Sequence, residues 1–451
     1  MIIKRNTLIA SFFLLVCGFL LLTATILDDY FVLIGVTGIF LLVLFFISFY
    51  KIEQSFFILL IPFSIPHISA IISNVFIETG TYVEELKQFS YATGGTIRLV
   101  FFMITFFLTA RFVYAFLLKF EIIDTNNSGL RQVPLLSEKI IIWLSLTLII
   151  ILLLGALIWG TPLGNDEQRF DFWSAHPFPQ FRGLLYQGYQ LAFVLGVLIP
   201  NGFYKRIMSL LIIAFCLMNV LYGEKFTGIF LTCIYFIVGY TASVNINKFQ
   251  RISFITMKKI IITLFILLLV FGIIFYQYKY VHKIDGSIIG FITMRIFALQ
   301  GEVWWAIDSI FSKKNDISNI EYLLFSGNGC KDYGGLYYMM SKITSASLVS
   351  SYCERGVTFT MGYPAILIST VGYLSGWFIN IFFGSFVGVT LYLIRKIIIN
   401  GSILGLYVSA KVLLIETHAF NMGNLFNIID FNFIFYFILL FVLTKVRFKY
   451  V

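Results

Sequence analysis

Apolar residues run through this chain in blocks of about 20, separated by short polar breaks, and a block of that length is what an α-helix needs to cross a bilayer. The blocks fall near residues 8–26, 31–50, 56–77, 97–118, 140–160, 184–200, 207–222, 229–245, 260–279, 365–394, 402–420 and 429–444, which predicts an all-α, polytopic protein of about twelve transmembrane spans. The first block follows Lys4 and Arg5 and continues through "LIASFFLLVCGFLLLTATIL" without a small-residue cleavage site. It reads as a retained helix whose N-terminus is cytoplasmic. An even number of spans returns the C-terminus to the same side. The cytoplasmic junctions then hold Lys51, Lys119, Arg131, Lys139, Lys205, Arg206, Lys248, Lys259, Arg395, Lys396 and the tail "KVRFKY", the cationic excess expected there.

Composition adds that no soluble domain can be separated from this pattern. Of 451 residues 59% are hydrophobic, the mean hydropathy is +0.93, and no Pro/Ser-rich linker or repeat interrupts the chain. Residues 1–451 are therefore read as one integral membrane domain. The net charge of +10 lies mostly at the cytoplasmic edges, opposite anionic lipid headgroups, so nucleic acid is not implied as a partner. Two outward-facing loops have real length, residues 161–183 and 280–362. Cys17, Cys216 and Cys233 fall inside spans, whereas Cys330 and Cys353 share the longer loop. In an oxidising compartment that pair is expected to close into a disulfide, the alternative being two free thiols.

Polar residues placed against expectation supply the candidate chemistry. "LYGEKFTGIF" puts Glu224 and Lys225 at the outer edge of the membrane with almost no loop. Charges at that depth face a cavity or a partner; a local ion pair with snorkelling is the plainer reading. The loop "GTPLGNDEQRFDFWSAHPFPQFRG" offers Asp166, Glu167, Arg169, Asp171, His176 and Arg182 among aromatic residues. That mixture suits sugars, whose C–H faces stack on rings while their hydroxyls bond charged groups. Trp173 alone reads better as an interfacial anchor.

In "RIFALQGEVWWAIDSIF" the apolar residues recur at helical spacing, which predicts a short amphipathic helix at the outer surface. Arg295, Leu299 and Glu302 share one face, and about 10 Å of helix axis separates Arg295 from Glu302, which suits opposite ends of one substrate. An arginine offers a planar fork of donors to phosphate oxygens, and a carboxylate accepts a hydroxyl proton. Gln300, Trp304 and Trp305 are read as substrate contacts, with a solvated helix face and membrane anchoring as the alternatives. The Gly-, Ser- and Tyr-rich stretch that follows resembles a folded lid. It carries Arg355 as a further cation, close to Tyr363 at the re-entry of the tenth span. His418, leaving the eleventh span through "THAFNMGN", is read as a supporting hydrogen-bonding group. His67, His176, His282 and His418 are scattered, no CxxC, HExxH or nucleophile elbow occurs, and no metal or cofactor is expected.

These residues together resemble the bacterial O-antigen polymerases of the Wzy type. The resemblance rests on about twelve spans, on "GEKFTGIF" as the short turn before an apolar run, on "RIFALQGEVWW" as the Arg-bearing helix of a long late loop, and on that loop itself. Where such polymerases carry an arginine in the short turn, Lys225 stands here. The resemblance implies a GT-C-like polymerase/ligase architecture in the bacterial inner membrane, with a long periplasmic loop carrying short amphipathic helices. It also implies metal-independent, inverting glycosyl transfer between undecaprenyl-diphosphate-linked repeat units at the periplasmic face, among membrane lipids and with a chain-length regulator as a further partner. The diphosphate leaves as a stable anion, so catalysis needs fixed cations, for which Arg295, Arg355, Arg169 and Lys225 are available, with Arg182 read as a substrate contact. Glu302 or Glu224 would take the acceptor proton.

Two other functions fit the same pattern of spans. A lipid-linked oligosaccharide flippase also has about twelve spans, but such transporters place charges in a central cavity. A glycosyltransferase using a polyprenyl monophosphate sugar would use an acidic pair such as Asp28 and Asp29 in the first outer loop, here so short that a turn and helix cap explains them.

Overall fold

The computed structural model describes residues 2–26, 30–50, 53–83, 86–120, 135–165, 169–200, 202–248, 299–312, 320–324 and 333–445. In chain order its helices are α1 (Ile2–Ile26), α2 (Phe31–Tyr50), α3 (Gln54–Glu78), α4 (Gly95–Lys119), α5 (Leu135–Trp159), α6 (Arg169–Ala175), α7 (Arg182–Leu198), α8 (Lys205–Leu221), α9 (Lys225–Lys248), α10 (Glu302–Phe311), α11 (Glu321–Leu324), α12 (Gly335–Ile343), α13 (Ala346–Glu354), α14 (Ala365–Asn400), α15 (Ile403–Met422), α16 (Phe426–Ile429) and α17 (Phe431–Lys445). A small antiparallel hairpin, β1 (Tyr82–Val83) and β2 (Gln88–Phe89), joins α3 to α4. Eleven of the twelve expected spans coincide with helices to within a few residues, and the twelfth, 260–279, lies outside the described residues. Among the described residues seven helices are long and apolar enough to cross a membrane. In hydrocarbon every backbone N–H and C=O must find a partner within the protein, which is why apolar blocks of this length become helices.

The chain divides into two compact units. The first comprises residues 1–123, 292–392 and 412–437, with α1 to α4 as its framework. Its helices are buried on one side and exposed on the other. On α2, Ile34, Gly38, Leu41, Phe45 and Phe49 recur at helical spacing and are buried, while Leu33, Phe40, Leu44 and Ile47 on the other side are exposed. Within α3, Pro66 has no N–H to give to the Pro62 carbonyl one turn earlier; the Asn421 side chain donates to that oxygen instead, at 3.1 Å. Helix α14 has 36 residues, more than one bilayer crossing requires, and Gly372 interrupts it at φ 77°, ψ 177°. That backbone region is essentially closed to residues with a Cβ, so the glycine sets the break.

Helix α10 corrects the expectation for the long loop. The described helix begins at Glu302, and it does not lie on the surface: residues 302 to 308 are all buried. The Trp304 indole N–H donates to the Gly95 carbonyl (2.7 Å) and that of Trp305 to the Tyr91 carbonyl (2.8 Å). The Gly301 amide donates to Ser73 Oγ (2.9 Å). An indole removed from water needs such an acceptor, and both are found at the end of unit one where α3 stops and α4 starts.

The second unit comprises residues 124–291, 393–411 and 438–451, with α7 and α9 most closely packed. A Cβ on Gly196 would fall 2.3 Å from the Phe236 carbonyl oxygen, and one on Gly239 would fall 2.3 Å from that of Phe193. These two helices therefore touch backbone to backbone, the way small residues bring membrane helices together. Tyr222 donates to the Leu152 carbonyl at 2.7 Å, and Tyr407 donates to the Gln187 side chain.

Candidate functional site

In unit two the sequence candidates Arg169, Arg182 and Glu224 converge. Arg169 opens α6, Arg182 opens α7 after a single 3-10 turn over Pro179–Phe181, and Glu224 stands immediately before α9. The turn from α8 to α9 is made by Gly223 at φ 69°, the left-handed conformation glycine adopts without a Cβ penalty. The Glu224 amide donates to the Asn219 carbonyl (2.9 Å), and the Asn219 side chain accepts from Tyr189 Oη (2.9 Å) and donates to Thr232 Oγ1 (3.2 Å). The backbone that carries the carboxylate is thus tied to a buried polar network.

Its two oxygens receive three charged donors. Arg169 Nη1 lies 2.6 Å from Oε2, and Arg182 reaches Oε1 with Nε (3.1 Å) and Nη2 (3.0 Å). The Glu224 side chain is 5% exposed, against 24% and 29% for the two arginines. The group is therefore a buried anion under two half-open cations, with one surplus positive charge. An arginine has five N–H donors, so both keep donors to spare for a further anion. Each guanidinium also rests near a ring: Arg169 over Phe170 (4.4 Å) and Arg182 by Tyr186 (6.0 Å).

The aromatic residues of this loop are arranged otherwise than the sequence reading expects. Phe172, Trp173 and His176 are buried and pack on one another; Trp173 stacks on Tyr222 with ring centroids 5.6 Å apart, and His176 lies against Trp159 and Phe181. These three rings form a packed cluster rather than an open platform. Tyr186, 37% exposed, is the ring beside Arg182 that stays accessible.

The remaining candidates are dispersed. Glu302, Trp304 and Trp305 are buried in unit one, at 2%, 2% and 1% exposure, which corrects the placing of Glu302 and both tryptophans on a helix at the outer surface. Gln300 is half-buried in the turn before α10. Tyr363 is buried and donates to Asn380 Oδ1 (2.5 Å), so its hydroxyl is spent within the bundle. Arg355 is exposed at the end of α13, and His418 is exposed with Nδ1 3.3 Å from Asn427 Nδ2. Arg295, Asp166, Glu167 and Cys330 lie outside the described residues, as does the Lys225 side chain.

Sequence reasoning missed a second charged cluster, in unit one. Arg98 grips Asp308 of α10 through Nε (2.7 Å) and Nη2 (2.6 Å), and Tyr373, next to the break in α14, donates to the same carboxylate. Glu78, at the end of α3, accepts from the Gly95 amide (2.7 Å) and from Thr96 Oγ1 (2.5 Å), holding the start of α4. One signal was available. Asp308 lies one turn from Trp304 and three residues from Phe311 on the apolar side of α10, and a charge on such a side demands a buried partner.

A family model described as a family of unknown function, DUF6418, matches residues 331–437, which include α12 to α16. No curated protein matches the chain, and no solved structure matches it.

Proposed function

We propose that this protein is an O-antigen polymerase of the bacterial inner membrane, joining undecaprenyl-diphosphate-linked repeat units by metal-independent, inverting glycosyl transfer. The observation that carries the reading is the pair of half-open arginines, Arg169 and Arg182, oriented on one buried carboxylate. Negative charge develops on the diphosphate as the glycosidic bond breaks. Donors already fixed in place stabilise that charge without reorganising when the reaction occurs. Glu224 holds the arginines and is the carboxylate at hand for the acceptor hydroxyl proton. Tyr186 offers the accessible ring for a sugar face. Both termini would be cytoplasmic and the arginines periplasmic, with a disulfide between Cys330 and Cys353 on the same side and a chain-length regulator as partner.

A second reading, a lipid-linked oligosaccharide flippase, draws support from the interrupted helix α14 beside the Arg98–Asp308 pair, since transporters use broken helices and buried charges in this way. Deleting the gene and displaying surface polysaccharide on a gel separates the two. A ladder reduced to single repeat units supports the polymerase, whereas loss of every glycan-capped lipid sinks it and points to a flippase or an enzyme acting earlier.

A further inference from the structure

We infer that unit one carries a binding site for a phosphate-bearing group, distinct in its residues from the arginine pair. A concavity of about 620 Å³ opens between the β1–β2 turn and the α12–α13 connection, and Lys87 and Lys342 line it from opposite elements, with Ser345, Ser347 and Ser351 between them. Among the described lining residues Lys87 and Lys342 are the charged ones. Two ammonium groups that share a concave surface concentrate positive potential there, more than either does on a flat face. The serine hydroxyls supply neutral donors that turn to suit a ligand. Helix α13 begins at the same place, with Ser345 as its N-cap residue; the Leu348 amide is spent on the Ser345 carbonyl (3.1 Å), and the amide of Ser347, a lining residue, adds a donor.

The two lysines are placed by different features. Lys87 has φ 54°, a left-handed conformation that glycine or asparagine takes more readily. The turn therefore presents a long cationic side chain at a place where a smaller residue would be conformationally easier. The Lys342 ammonium lies 4.5 Å from the centroid of the Tyr338 ring, which itself stacks on Tyr322 at 4.0 Å. That contact fixes the charge at the end of α12 while leaving the side chain exposed. Compact ammonium groups without a fork suit phosphate oxygens as point charges, and the volume admits a phosphate with the group esterified to it. The ligand is accordingly a phosphate group, which can arrive on a lipid headgroup or free in solution.

The test uses the full-length protein in detergent, titrated with dioctanoyl phosphatidylglycerol, dioctanoyl phosphatidylcholine and inorganic phosphate, with binding followed by calorimetry. Phosphatidylglycerol should bind more tightly than phosphatidylcholine. Each single substitution, Lys87→Gln or Lys342→Gln, should weaken it about fivefold, and the double substitution about 30-fold. Both side chains are exposed, so thermal unfolding of the variants should match the parent; should the double variant fail that check, the Lys342→Gln titration decides. Saturable binding of inorganic phosphate, lost in the same variants, assigns the site to the phosphate itself. Binding of the lipid without inorganic phosphate assigns it to a headgroup. Equal affinity of parent and double variant for every probe, or no binding by the parent, overturns the inference.

Discussion

Replacing Glu224 by glutamine removes one negative charge from between two guanidinium groups and leaves the size of the side chain unchanged. Three charge-assisted hydrogen bonds converge on the carboxylate, at 2.6, 3.0 and 3.1 Å, and glutamine can accept with one oxygen only. Breaking a fully buried pair removes about 3–5 kcal/mol. Here the arginines are 24% and 29% exposed and regain water, so the stability loss should be smaller, about 1–3 kcal/mol, and the protein should still insert and fold. The effect on polymerisation should be larger. Without the carboxylate the arginines repel one another and are no longer aimed. Removal of one such fixed donor from a site of developing charge lowers a rate about 100- to 1000-fold. The assay is complementation of a deletion strain, with the glycan ladder on a gel and the amount of monodisperse protein measured in parallel. Abundant Glu224→Gln protein with a faint or single-unit ladder is the expected outcome. A full ladder from that variant would remove the arginine pair from the mechanism.

Unit one allows separate tests. Asp308→Asn should release α10 by breaking the contacts to Arg98 and Tyr373, lowering stability by about 3–5 kcal/mol; thermal unfolding and new proteolytic cuts near residues 299–312 would show it. Gly372→Ala places a Cβ on a backbone at φ 77°, ψ 177° and should destabilise by about 1–3 kcal/mol, read as reduced monodisperse yield. Non-reducing peptide mapping should recover Cys353 linked to Cys330, and Cys353→Ser should abolish that peptide; recovery of both as free thiols under oxidising conditions would end the proposal of a disulfide.

The places of the long helices were legible because hydropathy decides which segments can lose water; the short helices α6, α11, α12, α13 and α16 carry no such signal. The candidate site was legible only in parts. Arg169, Arg182 and Glu224 each stood out as charges near aromatic residues or a membrane edge, but 55 and 42 residues separate Glu224 from its partners. Periodicity carries no information about such distant pairing. The tryptophans were misread for a related reason: helical spacing shows that α10 has an apolar side, not that the opposite side is covered as well. Arg98 and Asp308 were passed over because they stand 210 residues apart, one inside a span and one on a helix placed at the surface. Their pairing becomes visible only once α10 is docked on α4.

The most direct measurement is a reaction in which the purified protein, reconstituted in lipid nanodiscs, receives undecaprenyl-diphosphate-linked repeat units without added metal. Lipid-linked dimers and longer products are expected together with released undecaprenyl diphosphate, both lost on Arg169→Ala with Arg182→Ala. Unchanged monomer over many hours, from protein shown to be folded and to bind the substrate, would contradict the proposed polymerase activity.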